Sequence, residues 1–406
     1  MHILRRIKTQ QILIVVLLLT AFLRLYRLDF PNKYVFDEVY HAFTAKEFLA
    51  GHKEAWEWWT TPPPGVAYEW THPPLAKEIM AISMFILHTQ DSWAYRLPGV
   101  ILGILSVYLI YLLGLKLLNN QIASLIAAFV FSIDGLNFVQ SRTGMNDIYY
   151  VTFVLLSLLF LLKKQYFFSA LVFGLALTSK WAGIYFLLLI LFILLKERKF
   201  KQIIYFVAIP PIIYLLSYLP FFLLGHSFDQ FIQLQKQMWW YHTGLKTTHN
   251  YSSPWWSWPL NLYPVWYFVD YQKNTVANIF ASGNPIVFWV GSATIMLTAL
   301  QAIKEKSSNL AIIVLGFLVF WLPWAFSPRI MFLYHFSPSV PFLSLALGFQ
   351  LGLELQKSKM KKAVYILLLL MGLGFILIFP ILTGVPIYRS LIDLFFLTNL
   401  SKNPFI

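Results

Sequence analysis

The sequence contains no cysteine among its 406 residues, which excludes disulfide scaffolds, thiolate metal centres and cysteine nucleophiles. Charge is scarce too. Charged residues make up 12%, with 17 acidic side chains against 31 lysines and arginines. So little charge cannot cover the surface of a soluble chain of this length. There is no glycine-rich phosphate loop, internal repeat or low-complexity linker. His242 and His249 do not stand at a zinc spacing, and no metal is expected there. What is present is hydrocarbon: 59% of residues are hydrophobic and 18% aromatic, with a mean hydropathy of +0.66. These values describe an all-α polytopic membrane protein. The net charge of +14 is read as loop lysines and arginines that hold topology, with no nucleic-acid partner.

Eleven apolar runs are legible, at roughly 11–28, 97–117, 121–139, 148–162, 166–179, 181–195, 202–225, 285–303, 309–327, 332–352 and 363–382. With the N-terminus in the cytoplasm, the inside connections fall at Lys116, Lys163/Lys164, Lys196–Lys201, Lys304/Lys306 and Lys357–Lys362. The short outside connections carry only Arg142, Lys180 and Arg329. The positive-inside rule fits that orientation and fails in the other. The C-terminus then lies outside. Arg24 and Arg27 follow the first run without a small-residue cleavage site, so an uncleaved anchor is expected. Residues 78–90 are apolar but short, which predicts a helix lying at the interface. Two long stretches, 29–96 and 226–284, become large extracytoplasmic loops and hold most of the tryptophans. Three parts follow: an N-terminal membrane module over 1–225 with the first loop inside it, an aromatic-rich loop over 226–284, and C-terminal helices over 285–406.

This topology gathers Asp37, Glu38, His72, Lys77, Arg96, Asp147, Lys180, His242, His249, Arg329 and His335 on one face, and ionisable groups collected at a membrane boundary point to a site. Each has a plain alternative. Asp37 and Glu38 are neighbours that a helix would splay by about 100°, so a solvated loop pair is one reading. In "THPPLAK" the prolines precede a helix start, leaving His72 before it and Lys77 in its first turns. Arg96 is either an interfacial anchor or a ligand for an anionic headgroup. Asp134 lies inside an apolar run, where it needs a partner or water. Arg142 and Asp147 bracket a short turn and could simply pair. Lys180 interrupts two apolar halves, either snorkelling or facing phosphate. The loop around Trp255, Trp256 and Trp258 either stacks a sugar or rests on the bilayer. Together these groups suit a lipid-linked anionic substrate: cations for phosphate, carboxylates for a hydroxyl proton, aromatic faces for sugar.

The stretches "FDEVYH", "THPPLAK", "YRLPG", "DGLNFVQSRTGMND", "LTSKWAG", "HNYSSPWWSWPL", "PVWYF", "GNPIVFWVG" and "RIMFLYHFSPSVPFLSLALG" run in order from residue 35 to about 350. In them the chain resembles the protein O-mannosyltransferase family, bacterial type, of the C-type glycosyltransferase fold. The resemblance implies inverting transfer of mannose from a polyprenyl-phosphate carrier to serine or threonine hydroxyls of secreted or membrane proteins, outside the cell membrane. No cofactor beyond the lipid-linked donor is implied. Asp37 would be the general base and Glu38 its orienting partner. Arg96, His72, Lys77 and Lys180 would hold the donor phosphate. Asp147, Arg142, Asp134, His249, Arg329, His335 and the tryptophans 255, 256 and 258 would form the cavity and its acceptor side. The chain departs from the family pattern in lacking inserted β-trefoil repeats. It also has Tyr263 where an arginine is common, and Asn146 where an apolar residue precedes Asp147. The nearest rival is a transferase of the same fold that sugars a lipid. A transporter would call for midplane charges and inverted repeats, which the sequence does not display.

Overall fold

A computed structural model describes residues 2–395, with side chains over 9–357 and 359–392. The expected outward C-terminus and the basic side chains of Arg5, Arg6 and Lys8 lie outside the described residues. The chain is mostly helical. In the first half run α1 (His2–Leu25), α2 (His41–Ala50), α3 (Leu75–Leu87), α4 (Ser92–Leu118), α5 (Gln121–Ser132), α6 (Gly135–Gln140), α7 (Asp147–Leu162), α8 (Tyr166–Ser179) and α9 (Phe186–Lys196). There follow α10 (Ile203–Ser217), α11 (Leu219–Leu223), α12 (Phe228–Gly244), α13 (Pro285–Lys304), α14 (Ser308–Trp321), α15 (Val340–Glu354) and α16 (Lys361–Thr383). Six helices, some extended by a 3-10 turn, are long and apolar enough to cross a membrane, and five shorter apolar ones accompany them. The chain is an integral membrane protein.

The bundle is apolar outside as well as inside. Ile303 and Phe326 are 76% and 87% exposed, as side chains facing lipid would be. Close helix contact uses small residues. On α15 a Cβ at Gly348 would lie 2.5 Å from the Ala123 carbonyl of α5, so only glycine permits that approach. The run read at 121–139 is broken in two. Asp134 caps α6, accepting from the Leu136 and Asn137 amides. Gly135 meets the Ser282 carbonyl where a Cβ would come within 2.4 Å. The segment expected at the interface forms α3. It buries Met80 and Met84 and exposes Ile82, Phe85 and Ile86, so one face packs and the other is free for lipid.

The all-α expectation needs one correction. The second loop folds into a hairpin, β1 (Val265–Tyr271) against β2 (Thr275–Ala281), antiparallel with an irregularity between Trp266 and Phe268, and β3 (Ile387–Tyr388) joins β2. Its segments are rich in β-branched and aromatic residues. Trp266 and Phe280, opposite each other in the register, stack at 5.3 Å. β2 packs on α6 and α16, and β1 reaches the turn that carries Asp37.

Candidate functional site

The site begins at the turn Phe36–Val39. Phe36 has φ +50, a left-handed conformation rarely adopted by a bulky residue. It is held there by stacking on Tyr267 of β1, ring centroids 4.3 Å apart, with the Tyr334 ring edge-on at 6.0 Å. The next two residues are thereby sent different ways. Glu38 is fully buried. Its carboxylate accepts from the Val35 amide (2.9 Å), Tyr95 Oη (3.3 Å), the Gly144 amide (2.8 Å) and both Nε and Nη2 of Arg96 (2.7 Å each). Among the described residues no group hydrogen-bonds the Asp37 carboxylate, which remains partly open.

Arg96 cannot hold a phosphate as expected. Its remaining N–H groups donate to the carbonyls of Leu28 (3.0 Å), Pro31 (3.1 Å) and Lys33 (3.2 Å). With the two bonds to Glu38, all five guanidinium donors are committed. Arg96 and Glu38 together form a buried tie that fixes the turn, so Glu38 is not available to orient an acceptor. Lys77 is likewise buried and donates to the Glu69 and His72 carbonyls at 2.7 and 2.8 Å. Burial pushes its pKa down to about 8. It secures the loop before α3 rather than facing a ligand.

Three other assignments also change. Asp134 is a buried helix cap and not a cavity group. Arg142 is bound to the carbonyls of Arg24 and Tyr26 at the end of α1, so it clamps two elements instead of pairing with Asp147. Trp258 is fully buried, donating to Ser253 Oγ and stacking on His335. It cannot line an acceptor groove. The carbonyl of Trp255 accepts from Trp321 Nε1 at 2.8 Å, Trp256 is exposed, and His249 is exposed beside Phe332.

Around Asp37 the structure gathers a different set. Asp147, first residue of α7, pairs with Lys180, whose Nζ lies 2.9 and 3.0 Å from its two oxygens. Lys180 sits in an extended residue between α8 and the next turn, with its ammonium 5.5 Å from the Tyr334 ring centre. Arg329 donates to His242 Nδ1 at 2.5 Å. Because arginine has no acceptor, His242 must carry its proton on Nε2, which donates to the Thr71 carbonyl at 2.7 Å. Burial, and then the Arg329 charge, lowers the His242 pKa to about 4. The ring stacks on His72 at 5.0 Å, and burial also holds His72 well below its ordinary value. Arg329 Nε has no partner among the described residues, leaving guanidinium capacity for an anion.

Two residues were not singled out from sequence. Glu69 accepts from Thr71 Oγ1 (2.5 Å) and the His72 amide (2.9 Å), and His41 Nδ1 approaches it at 3.4 Å. Burial favours its proton, yet His41, Lys77 and these hydrogen bonds hold Glu69 below the usual carboxylate range. Burial lowers His41 to about 4. The signal was present: "YEWTHPP" places Glu69 three residues before His72, and His41 follows Asp37 by one helical turn. Asp37 itself is raised to about 7, first by loss of water and then by Glu69, with Asp147 adding to the rise and Lys180 and Arg329 opposing it. The arrangement is an unbonded carboxylate with its pKa near 7, within electrostatic reach of the Lys180 and Arg329 charges. It can accept a proton beside a bound anion.

Two family models match the chain: one described as dolichyl-phosphate-mannose-protein mannosyltransferase over residues 71–223, the other as the C-terminal four-transmembrane region of protein O-mannosyltransferase over 227–394. The polyprenol-phosphate-mannose–protein mannosyltransferase of Mycolicibacterium smegmatis is 23% identical over 88% of this chain and 85% of its own length. The enzyme of the same description from Mycobacterium tuberculosis is also 23% identical, over 91% and 87%. Among solved structures, the Saccharomyces cerevisiae protein O-mannosyltransferase Pmt1–Pmt2 complex bound to the sugar donor matches with a TM-score of 0.80 at 15% identity. That match covers 96% of this chain and 92% of that one. ArnT from Cupriavidus metallidurans bound to undecaprenyl phosphate matches at 0.59 and 15% identity, over 84% and 59%. These likenesses show the C-type fold.

Proposed function

Because the chain belongs to the protein O-mannosyltransferase family, we propose that it transfers mannose from a polyprenyl-phosphate carrier to serine and threonine hydroxyls of protein acceptors. The observation that carries the reading is the Asp37 carboxylate, unbonded, with a pKa near 7 and within electrostatic reach of two cations. Such a base is charged often enough at neutral pH and still basic enough to take a proton. The acceptor oxygen attacks the anomeric carbon and its proton passes to Asp37. The bond from that carbon to the phosphate oxygen breaks, and the phosphate leaves with the electron pair, so configuration inverts. Lys180 and Arg329 stabilise the charge growing on the phosphate. Glu38 and Arg96 are positioning residues that fix the turn. Neutral His72 and His242 line the approach and orient Arg329.

Eleven crossings are consistent with the six long apolar helices and the five shorter ones. On that reading, with lysine-rich ends inside, the N-terminus is cytoplasmic and Asp37 lies outside the cell membrane. The family models divide between residues 223 and 227, which supports a boundary near 225. The deciding experiment supplies radiolabelled polyprenyl-phosphate-mannose to the purified protein with peptides and, separately, with lipids. Label should enter serine- or threonine-bearing peptides. Label in lipid alone would sink the protein acceptor and favour the lipid-modifying rival.

A further inference from the structure

A cavity lies at the end of the bundle away from Asp37. α7 starts at Asp147 in the site and runs 16 residues, so its far end is about 24 Å away. There the ends of α4, α7 and α9 meet the start of α14 around a cavity of about 360 Å³. Lys116, Lys164 and Lys196 line it, with Glu197 as the one carboxylate. All four side chains are exposed. Its floor is apolar, made with Leu117, Phe192 and Ile312. Asn309 Nδ2 donates to the Leu117 carbonyl at 3.1 Å and closes the seam between α14 and α4.

We propose that this cavity binds the headgroup of an anionic phospholipid. Compensation of helix dipoles explains a lysine at the end of a helix, but not three converging on one hollow. The topology rule asks for lysines at this end of the bundle, but is indifferent to whether they share a space. A small inorganic anion would use the ammonium groups and leave the apolar floor wet. A molecule joining phosphate to hydrocarbon uses both, and the surrounding helix surface is already lipid-facing, with Ile122 and Leu195 about half exposed. Basic pockets between membrane helices have the chemistry to hold such headgroups. The site is independent of the transfer chemistry at Asp37.

The test is native mass spectrometry of the full-length protein in mild detergent, titrated with phosphatidylglycerol, with phosphatidylcholine and inorganic phosphate as comparators. A lysine near the headgroup is worth about fivefold. K116Q/K164Q/K196Q should therefore weaken phosphatidylglycerol binding by more than about tenfold. The control K359Q/K361Q/K362Q removes three exposed lysines at the same end and should leave it unchanged. E197Q, which perturbs no buried contact, should tighten binding about fivefold and decides the matter even if the triple variant folds poorly. Equal loss in the control, equal binding of phosphatidylcholine, displacement of the lipid by millimolar phosphate, or no gain in E197Q would each overturn the proposal.

Discussion

Replacing Asp37 by asparagine should abolish transfer and stabilise the protein, a combination expected of a working base and not of a structural carboxylate. Its pKa rises from 3.8 to about 7 in the folded chain. Three units at about 1.4 kcal/mol each give an upper bound of about 4 kcal/mol, and partial contact with water reduces this to about 2 kcal/mol. The folded protein holds this proton more tightly than the unfolded chain. Its stabilising contribution is therefore full below about pH 3.8 and is lost as pH rises through 7. The substituted amide never ionises. D37N should thus match the wild type near pH 4 and exceed it at pH 8, by about 2 °C in a chain of this length. Thermal unfolding in detergent at both values, run beside transfer from polyprenyl-phosphate-mannose, checks both halves. Transfer should fall by at least about a hundredfold. Near-normal turnover, or a loss of stability equal at the two pH values, would refute the reasoning.

Glu38→Gln and Arg96→Met should each cost about 3–5 kcal/mol by stranding a buried charge or its donors. The readout is loss of folded protein, and Arg96→Met protein that folds normally but binds donor poorly would contradict the tie. Lys180→Met also strands the buried Asp147 carboxylate and should cost stability too; in the protein that remains folded, transfer should slow about a hundredfold with the main effect on donor use, measured by varying carrier concentration. The acid limb of kcat/KM should lie near pH 7, and Glu69→Gln should move it lower, because the Glu69 charge is among the groups that raise Asp37, whereas Lys180 and Arg329 oppose the rise. An unmoved limb would remove Glu69 from the site. Since the chain has no cysteine, Lys33→Cys and Lys163→Cys can be labelled individually in intact cells. The first should react with an impermeant reagent and the second should not.

The helices were legible because hydrocarbon thickness imposes long apolar runs on the sequence. The hairpin was not, because "VWYFVDY" is apolar on both faces and lacks the two-residue alternation that marks a half-exposed strand. The adjacent carboxylates stood out, but which one is left open depends on partners 58 and 106 positions away, Arg96 and Gly144. Arg96 showed its charge in the sequence and not the five acceptors that consume it. Asp147 and Lys180 looked like separate candidates, since the chain separates them by 33 positions before pairing them. Glu69 stands two positions before "THPPLAK", and nothing local in the sequence brings it to His41, 28 positions earlier.

The Glu38 tie also determines where damage can come from. A Cβ at Gly144 would stand 3.2 Å from the Glu38 Cγ, so even alanine there presses on the anchor. The reacting oxygen could be knocked out of line by a residue that never meets sugar, carrier or peptide. A survey of harmful variants should therefore treat the stretches around 28–38, 96 and 144 as one machined part, in which tolerance is set by the knot and not by distance from the chemistry.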